Sequence, residues 1–234
     1  MIHRLFFPVK KILSKFFGTY IKFSFSQVGE DLILKFIIDS LKLKNITYLD
    51  IGANHPYNMN NTYLLYLSGF RGVCVEPNPT LYNKIRLHRK EDKCLNVGVG
   101  IGGAKSGIYY LMDNSLLSTF SAEEANKIEK NGEGKILKAI PMDLINVNEL
   151  ISLNFKTCPD IISLDVEGID VDILNEFNFK IYRPKFFCIE TISYSTNLTG
   201  VKSDEIIQLM LRNGYKIFAD TYINTIFVEQ NLFN

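Results

Sequence analysis

Long apolar runs are missing from this chain of 234 residues. None approaches the ~20 residues that a membrane-spanning helix needs. Cysteine is scarce and unpaired in sequence: Cys74, Cys94, Cys158 and Cys188 include no CxxC spacing. That argues against a zinc site or a disulfide frame and for buried thiols in a reducing cytosol. A charge excess is absent too. The formal net charge of +1 gives no general reason to expect a nucleic-acid partner. The remaining composition, 47% apolar and 22% charged, is that of an ordinary globular protein whose length suits one core.

Acids are also absent from residues 1–29, where Arg4, Lys10, Lys11, Lys15 and Lys22 stand without a counter-charge. Val9, Ile12, Leu13, Phe16 and Phe17 fall on one helical face, with Pro8 suited to the first turn and Gly18 to the end. Two readings are open. The segment is a basic amphipathic helix lying on an anionic membrane surface, or a terminal helix packed on the body with its lysines in water. The expected localisation is cytoplasmic, with the membrane reading placing the chain at the inner face. Residues 1–23 are set apart as this segment, and 24–234 are expected to form one domain.

Beyond residue 24, strand-like and helix-like patterns alternate. Strands are predicted at 47–51, 72–76, 94–99, 160–166 and 185–192. Helices are predicted over 28–43, 60–68, 79–89, 169–178 and 203–213. The strands are apolar almost throughout, as in a parallel sheet covered on both faces. This pattern predicts an α/β, doubly wound, Rossmann-like sheet. "YKIFAD" and "TIFVEQ" read as a C-terminal hairpin that brings in one antiparallel strand. Between 106 and 150 the pattern is less regular: a strand "GIYYLMD", a polar helix at 121–130, and Asp143 as the expected N-cap of a helix over 144–151.

Ligands of such sheets sit outside the carboxyl ends of the strands. That rule selects Asp50, Glu76, Asp165 with Glu167, and Glu190. "GVGIGG" satisfies GxGxxG through Gly98, Gly100 and Gly103, but a strand-like segment follows where a pyrophosphate site requires a helix. The dinucleotide fingerprint therefore fails. The turn after the first strand, with Asp50, Gly52 and Asn54, has no P-loop lysine. Glu76 ends the second strand about 25 residues later, where a carboxylate can take both hydroxyls of a ribose. A ribose without phosphate beside an acidic turn points to S-adenosylmethionine, whose sulfonium and ammonium tolerate acids.

"FSQVGEDLIL", "YLDIGANHPYNMNNTYLLY", "GFRGVCVEPNP", "NVGVG", "IISLDVEGIDVDIL" and "YRPKFFCIE" stand in this order. In this the chain resembles the FkbM-type S-adenosylmethionine-dependent methyltransferases, in the branch with Asn-His-Pro in the first cofactor turn. The resemblance implies a class I methyltransferase sheet and O-methylation of a hydroxyl on a sugar, glycan or natural product. It implies a cofactor site of Gln27, Asp31, Asp50, Gly52, Ala53, Asn54, Glu76, Pro77, Asn78 and Val99. Gln27 and Asp31 share a helical face and are expected to close over the cofactor, with N-capping by Ser26 as the alternative for that block. Asn78 could instead cap the helix at Pro79.

Methyl transfer to a hydroxyl needs an aligned acceptor and a group to take its proton. His55 stands in the cofactor turn, and Pro56 restricts its backbone to extended conformations. It is expected to face the acceptor, with Asp165 and Glu167 as catalytic partners. His55, Asp165 and Glu190 could alternatively hold Mg²⁺ or Mn²⁺, which accept oxygen and imidazole donors. Three function classes stay open: a sugar or glycan O-methyltransferase, a methyltransferase for another small molecule or an amine or carboxyl group, and a non-catalytic cofactor-binding subunit.

Overall fold

The structure is a computed structural model that describes residues 22–166, 168–192 and 200–233. The basic segment 1–21, and with it the membrane expectation, lies outside the described residues. So does Glu167. No helix among the described residues is long and apolar enough to cross a membrane.

Seven strands form the main sheet: β1 (Thr47–Ile51), β2 (Arg71–Val75), β3 (Lys93–Leu95), β7 (Ile161–Leu164), β8 (Phe186–Glu190), β9 (Tyr215–Asp220) and β10 (Asn224–Glu229). Their spatial order is β3-β2-β1-β7-β8-β10-β9. All neighbours are parallel except β10, which runs antiparallel to both β8 and β9. This is the reversed strand expected from the terminal hairpin, and the order reverses at β1, so a crevice opens at the carboxyl ends of β1 and β7.

Helices cover both faces because both faces are apolar. On one, α5 (Val147–Asn154), α6 (Asp170–Glu176) and α7 (Asp204–Arg212) pack Leu150, Ile151, Leu174 and Met210 onto Leu49, Ile51, Ile162 and Phe187. On the other, α1 (Glu30–Ser40) and α2 (Tyr63–Leu67) pack Leu34, Ile37, Ile38, Leu65 and Tyr66 onto Tyr48, Ile161, Phe186 and Ile226. Alternation along β1 sends Leu49 and Ile51 one way and Tyr48 and Asp50 the other. That detail decides what Asp50 can touch.

The predicted strand 94–99 is two strands. β3 joins the main sheet, whereas β4 (Gly98–Val99) pairs with β6 (Ile136–Ile145) in a second sheet of order β4-β6-β5, with β5 at Ser106–Met112. The glycines of "GVGIGG" serve that small sheet. A Cβ on Gly98 would lie 2.3 Å from Phe120 and 2.6 Å from Leu144, and Gly102 and Gly103 turn the chain with left-handed φ of 60° and 77°. No phosphate-binding helix follows, as expected. Asp143 is not an N-cap: β6 runs on to Ile145, and Asn146 caps α5 by accepting the N–H of Asn148 at 2.9 Å. The polar helix is α4 (Ala122–Asn131), capped by Ser121 and ended by Gly132. The four cysteines are free, and Cys74 and Cys94 face one another on paired strands.

Candidate active site

A cleft of about 130 Å³ opens at the carboxyl edge of the main sheet. Its floor is Ile51, Gly52, Asn54, Val75 and Glu76, and its far wall is Tyr109, Ser118, Thr119 and Phe120 from the small sheet and the segment after it. Asp165, Val166, Glu190 and Gln27 close the remaining side.

The floor is built by backbone bonding. Gly52 and Ala53 both donate to the Val75 carbonyl, at 3.0 and 3.1 Å, so the turn leaves β1 bent over the end of β2. Gly52 has φ of 79°, and a Cβ there would stand 1.8 Å from the Asp165 carbonyl oxygen. Glycine is therefore required by both the turn and the neighbouring strand. Asn54 follows at φ 50° and turns its N–H onto Glu76 Oε2 at 2.7 Å. Glu76 Oε1 accepts the N–H of Asn78 at 2.8 Å. The Glu76 side chain is thus fixed at both oxygens, 4% exposed, and paired with no cation among the described residues. Burial pushes its pKa up to about 8, against the pull of those two N–H groups. Each carboxylate oxygen still has a lone pair for a hydroxyl donor from the cleft.

At the seam between β7 and β8, Asp165 stands beside Glu190, the side chain whose hydrogen bonding favours the ionised form of Asp165. Burial pushes Asp165 up to about 6, and the hydrogen bond to Glu190 acts in the opposite sense. Both line the cleft.

Several expected site residues do lie together here: Gln27, Gly52, Asn54, Glu76, Pro77, Val99, Asp165 and Glu190 line one cleft. Asn78 is an N-cap, accepting Thr80 N–H at 3.0 Å and Leu81 N–H at 3.4 Å, and reaches the cleft only through the N–H it gives to Glu76.

Other expectations need correction. Asp50 is turned away from the cleft by the strand alternation. Its Oδ2 accepts Thr62 Oγ1 at 2.6 Å and Asn60 Nδ2 at 3.2 Å and pairs with Arg89 at 3.5 Å. It cannot hold a cofactor ammonium directly. Ala53 is also outside the cleft, packed against Cys74 and Ile85. Asp31 is neither over the cofactor nor in water. It is buried and accepts Ser24 Oγ, the Phe25 N–H and Ser26 Oγ at 2.7, 2.7 and 3.0 Å, tying down the chain that enters α1. His55 does not face the cleft. Its Nδ1 accepts Asn58 N–H at 3.2 Å and, more weakly, Tyr57 N–H at 3.5 Å, and its ring packs edge-on against Tyr57. Pro56 thus closes a local turn on the imidazole. Burial, helped by Lys84 and His88, lowers the pKa of His55. The candidate metal set fails with it: His55 does not join Asp165 and Glu190, and no three His, Cys, Asp or Glu side chains among the described residues converge on a metal position.

Two functional groups were not anticipated from sequence. Arg89, in a basic run that reads as surface, is fully buried. It donates to Asp92, Tyr48 Oη, Thr62 Oγ1 and Asn60 Oδ1 as well as pairing with Asp50. The acidic partner three residues on was the available signal. Glu30, buried in the first turn of α1, accepts Thr221 Oγ1 at 2.6 Å and Asn224 Nδ2 at 3.2 Å, and so fastens the Gln27 segment to the terminal hairpin. Nothing in its local sequence announces a partner so far along the chain.

The model of the methyltransferase FkbM domain matches residues 50–217, more than half of the chain. The chain belongs to the FkbM methyltransferase family. It is an S-adenosylmethionine-dependent methyltransferase. Similar solved structures include cofactor-bound Rv0187 from MTB, at 8% identity and a TM-score of 0.47 over 94% of this chain and 87% of that one. A TehB-like S-adenosylmethionine-dependent methyltransferase from Corynebacterium glutamicum matches at 11% identity and a TM-score of 0.41, over 97% and 98% of the two chains. An O-methyltransferase from Bacillus cereus in complex with S-adenosylhomocysteine matches at 11% identity and a TM-score of 0.39, over 94% and 96%. No curated protein matches the sequence.

The residues of the cleft fit the cofactor of an FkbM methyltransferase. Glu76 is a buried acid with both oxygens aimed and no cation among the described residues to neutralise it, a suitable partner for two ribose hydroxyls. Pro77 and Leu81 offer an apolar edge beside it for a base, and Gln27, Asp165 and Glu190 give the opposite end a polar and acidic character suited to a cationic methionine part.

Proposed function

We propose that this FkbM methyltransferase transfers a methyl group to a hydroxyl of a sugar or glycan, with the Asp165–Glu190 pair taking the hydroxyl proton. The observation that carries the reading is the position of that pair. Glu190 lines both the cofactor cleft and a second cavity beside it, so it stands where donor and acceptor would meet. S-adenosylmethionine, when bound, supplies an electrophilic methyl on a sulfonium. The chain's own residues do the rest. Glu76 anchors the ribose, the apolar wall excludes water, and the carboxyl pair accepts one proton as the hydroxyl oxygen is methylated. The pKa of Asp165 near 6 leaves it able to act as a base at neutral pH. The glycan assignment draws its support from the family resemblance and from the polyol-sized space beside the cleft.

The test is a transfer assay with isotopically labelled methyl donor on Asp165→Asn and Glu190→Gln. Loss of either carboxylate should lower kcat by about 10²- to 10⁴-fold, the range of general-base catalysis. S-adenosylhomocysteine affinity should stay within a few-fold. Wild-type kcat in both variants would overturn the assignment of the base.

A further inference from the structure

S-adenosylmethionine carries two charges at its methionine end, an ammonium and a carboxylate. Asp165 and Glu190 suit the ammonium, whereas the carboxylate needs hydrogen-bond donors. The turn after β1 does not offer them from its leading backbone. Gly52 and Ala53 direct their N–H groups to the Val75 carbonyl, and Asn54 directs its own to Glu76. Gln27 and Asn54 are then the lining side chains that carry a nitrogen donor. Gln27 is the one held by a buried partner. Its Oε1 accepts from Nδ2 of Asn224, which is 1% exposed at the start of β10, at 3.4 Å. The same Nδ2 donates to Glu30 Oε1 at 3.2 Å.

Glu30 fixes the sense of this relay. Its Oε1 also accepts Thr221 Oγ1 at 2.6 Å, and its Oε2 accepts the Val28 N–H at 2.9 Å. Burial alone would raise its pKa, but the bonds from Thr221 and Val28 outweigh burial and hold it below the usual carboxylate value. A carboxylate only accepts, so the Asn224 amide must present its NH₂ to it. Asn224 Oδ1 is then left without a partner among the described residues, although it is buried. Buried polar atoms are normally paired, so this amide is turned for the sake of its N–H groups. One donates to Glu30 and the other to Gln27 Oε1, which leaves the Gln27 NH₂ for the cleft.

We propose that Asn224 is a positioning residue for the methyl donor: it holds the Gln27 amide with its NH₂ toward the cleft, where that group donates to the cofactor carboxylate. Asn224 is outside the lining of the cleft and acts through Gln27. It is the strand partner of Glu190, so the relay stands directly behind the acidic end of the cleft. Flipping Gln27 would lose the Asn224 bond and set a carbonyl oxygen against the cofactor carboxylate. The inference concerns the donor half of the site and stands whichever acceptor is methylated.

The experiment is calorimetry on the full chain with two ligands. One is S-adenosylhomocysteine and the other is S-adenosyl-3-thiopropylamine, the same molecule without its carboxylate. Gln27→Ala should weaken S-adenosylhomocysteine by about 10-fold or more, the worth of a hydrogen bond to a charged group, and the amine by less than about twofold. Asn224→Ala should weaken S-adenosylhomocysteine by about 3- to 10-fold, a smaller loss because its bond to Gln27 is long, and should likewise spare the amine. In the Gln27→Ala background the Asn224 substitution should add nothing to the loss. Asn224→Ser, which keeps a small donor at the same place, serves with the same expected split if the alanine variant does not fold. Equal weakening of both ligands would overturn the proposal, because general damage to the fold does not single out a carboxylate. So would full additivity of the two substitutions, or an unchanged S-adenosylhomocysteine affinity in either single variant. Failure of the wild type to bind S-adenosylhomocysteine is a separate result, and it would count against the cofactor site itself.

Discussion

Arg89 Nη1 lies 3.5 Å from Asp50 Oδ2 in a site closed to solvent, while Arg89 Nε donates to Asp92 at 2.8 Å. The guanidinium also lies over the rings of Tyr48 and Tyr66, at 5.5 and 5.6 Å from their centroids. One cation therefore serves two buried acids and fixes Asn60, whose Nδ2 bonds both Asp50 and the Ala53 carbonyl of the cofactor turn. Replacing Arg89 by Ala leaves those acids without a counter-charge. Removing one partner of a buried pair costs about 3–5 kcal/mol, so urea denaturation of Arg89→Ala should show a loss of that size. A loss under about 1 kcal/mol, the worth of an exposed pair, would contradict the burial.

Asp50 and Glu76 both end strands, yet only Glu76 faces the cleft. Glu76→Gln turns an amide NH₂ toward one of the N–H donors of Asn54 and Asn78 and removes an acceptor for a ribose hydroxyl. Hydrogen bonds to charged groups are worth about 1.5–3 kcal/mol, so S-adenosylhomocysteine affinity in calorimetry should fall roughly 10- to 100-fold. Asp50→Asn should lower affinity less than Glu76→Gln and lower stability instead. The reverse ranking would put Asp50 back at the cofactor.

The raised pKa of Glu76 gives a signed pH dependence. The unfolded carboxyl titrates near 4.5 and the folded one near 8, so between those values the folded state holds a proton that the unfolded state has lost. Folding stability contributed by this group therefore falls as pH rises through that window. Hydroxyl donors favour the carboxylate, so cofactor binding should release a proton near neutrality and tighten from pH 6 to 8. Calorimetry in buffers of different ionisation enthalpy would read the proton release. Proton uptake over that range would contradict the role given to Glu76.

Two glycines with similar φ should respond differently to alanine. Gly52→Ala sets a Cβ against the Asp165 carbonyl and should abolish cofactor binding or folding. Gly132→Ala, at φ 74° with nothing within 4 Å, should cost only about 1 kcal/mol, the penalty for a left-handed non-glycine residue. Thermal melts with and without S-adenosylhomocysteine separate the two cases.

The parallel strands, the reversed β10 and the edge acids Glu76, Asp165 and Glu190 could be read from the chain because periodicity and strand ends report on them directly. Asp50 could not. Whether a strand-terminal acid faces the crevice or the layer behind it depends on a one-residue alternation, and only the position of Arg89 shows which. His55 was misleading for a related reason: Pro56 restricts its backbone, but the ring folds onto the N–H groups of Tyr57 and Asn58. The segment 115–120, which walls the cleft, has no periodic signal and is positioned by the small sheet. The second cavity joins residues from α4, the start of α6 and the end of β8, which no local pattern connects.

The clasp between Glu30 and Thr221 with Asn224 joins positions 191 and 194 residues apart in the chain. β10 slots between β8 and β9, and its Asn224 also reaches Gln27 Oε1 at 3.4 Å. The Gln27 wall of the cofactor cleft is therefore anchored on the reversed strand, so a chain cut before β9 would lose the hold on Gln27 while keeping the backbone bonds that build the Glu76 floor.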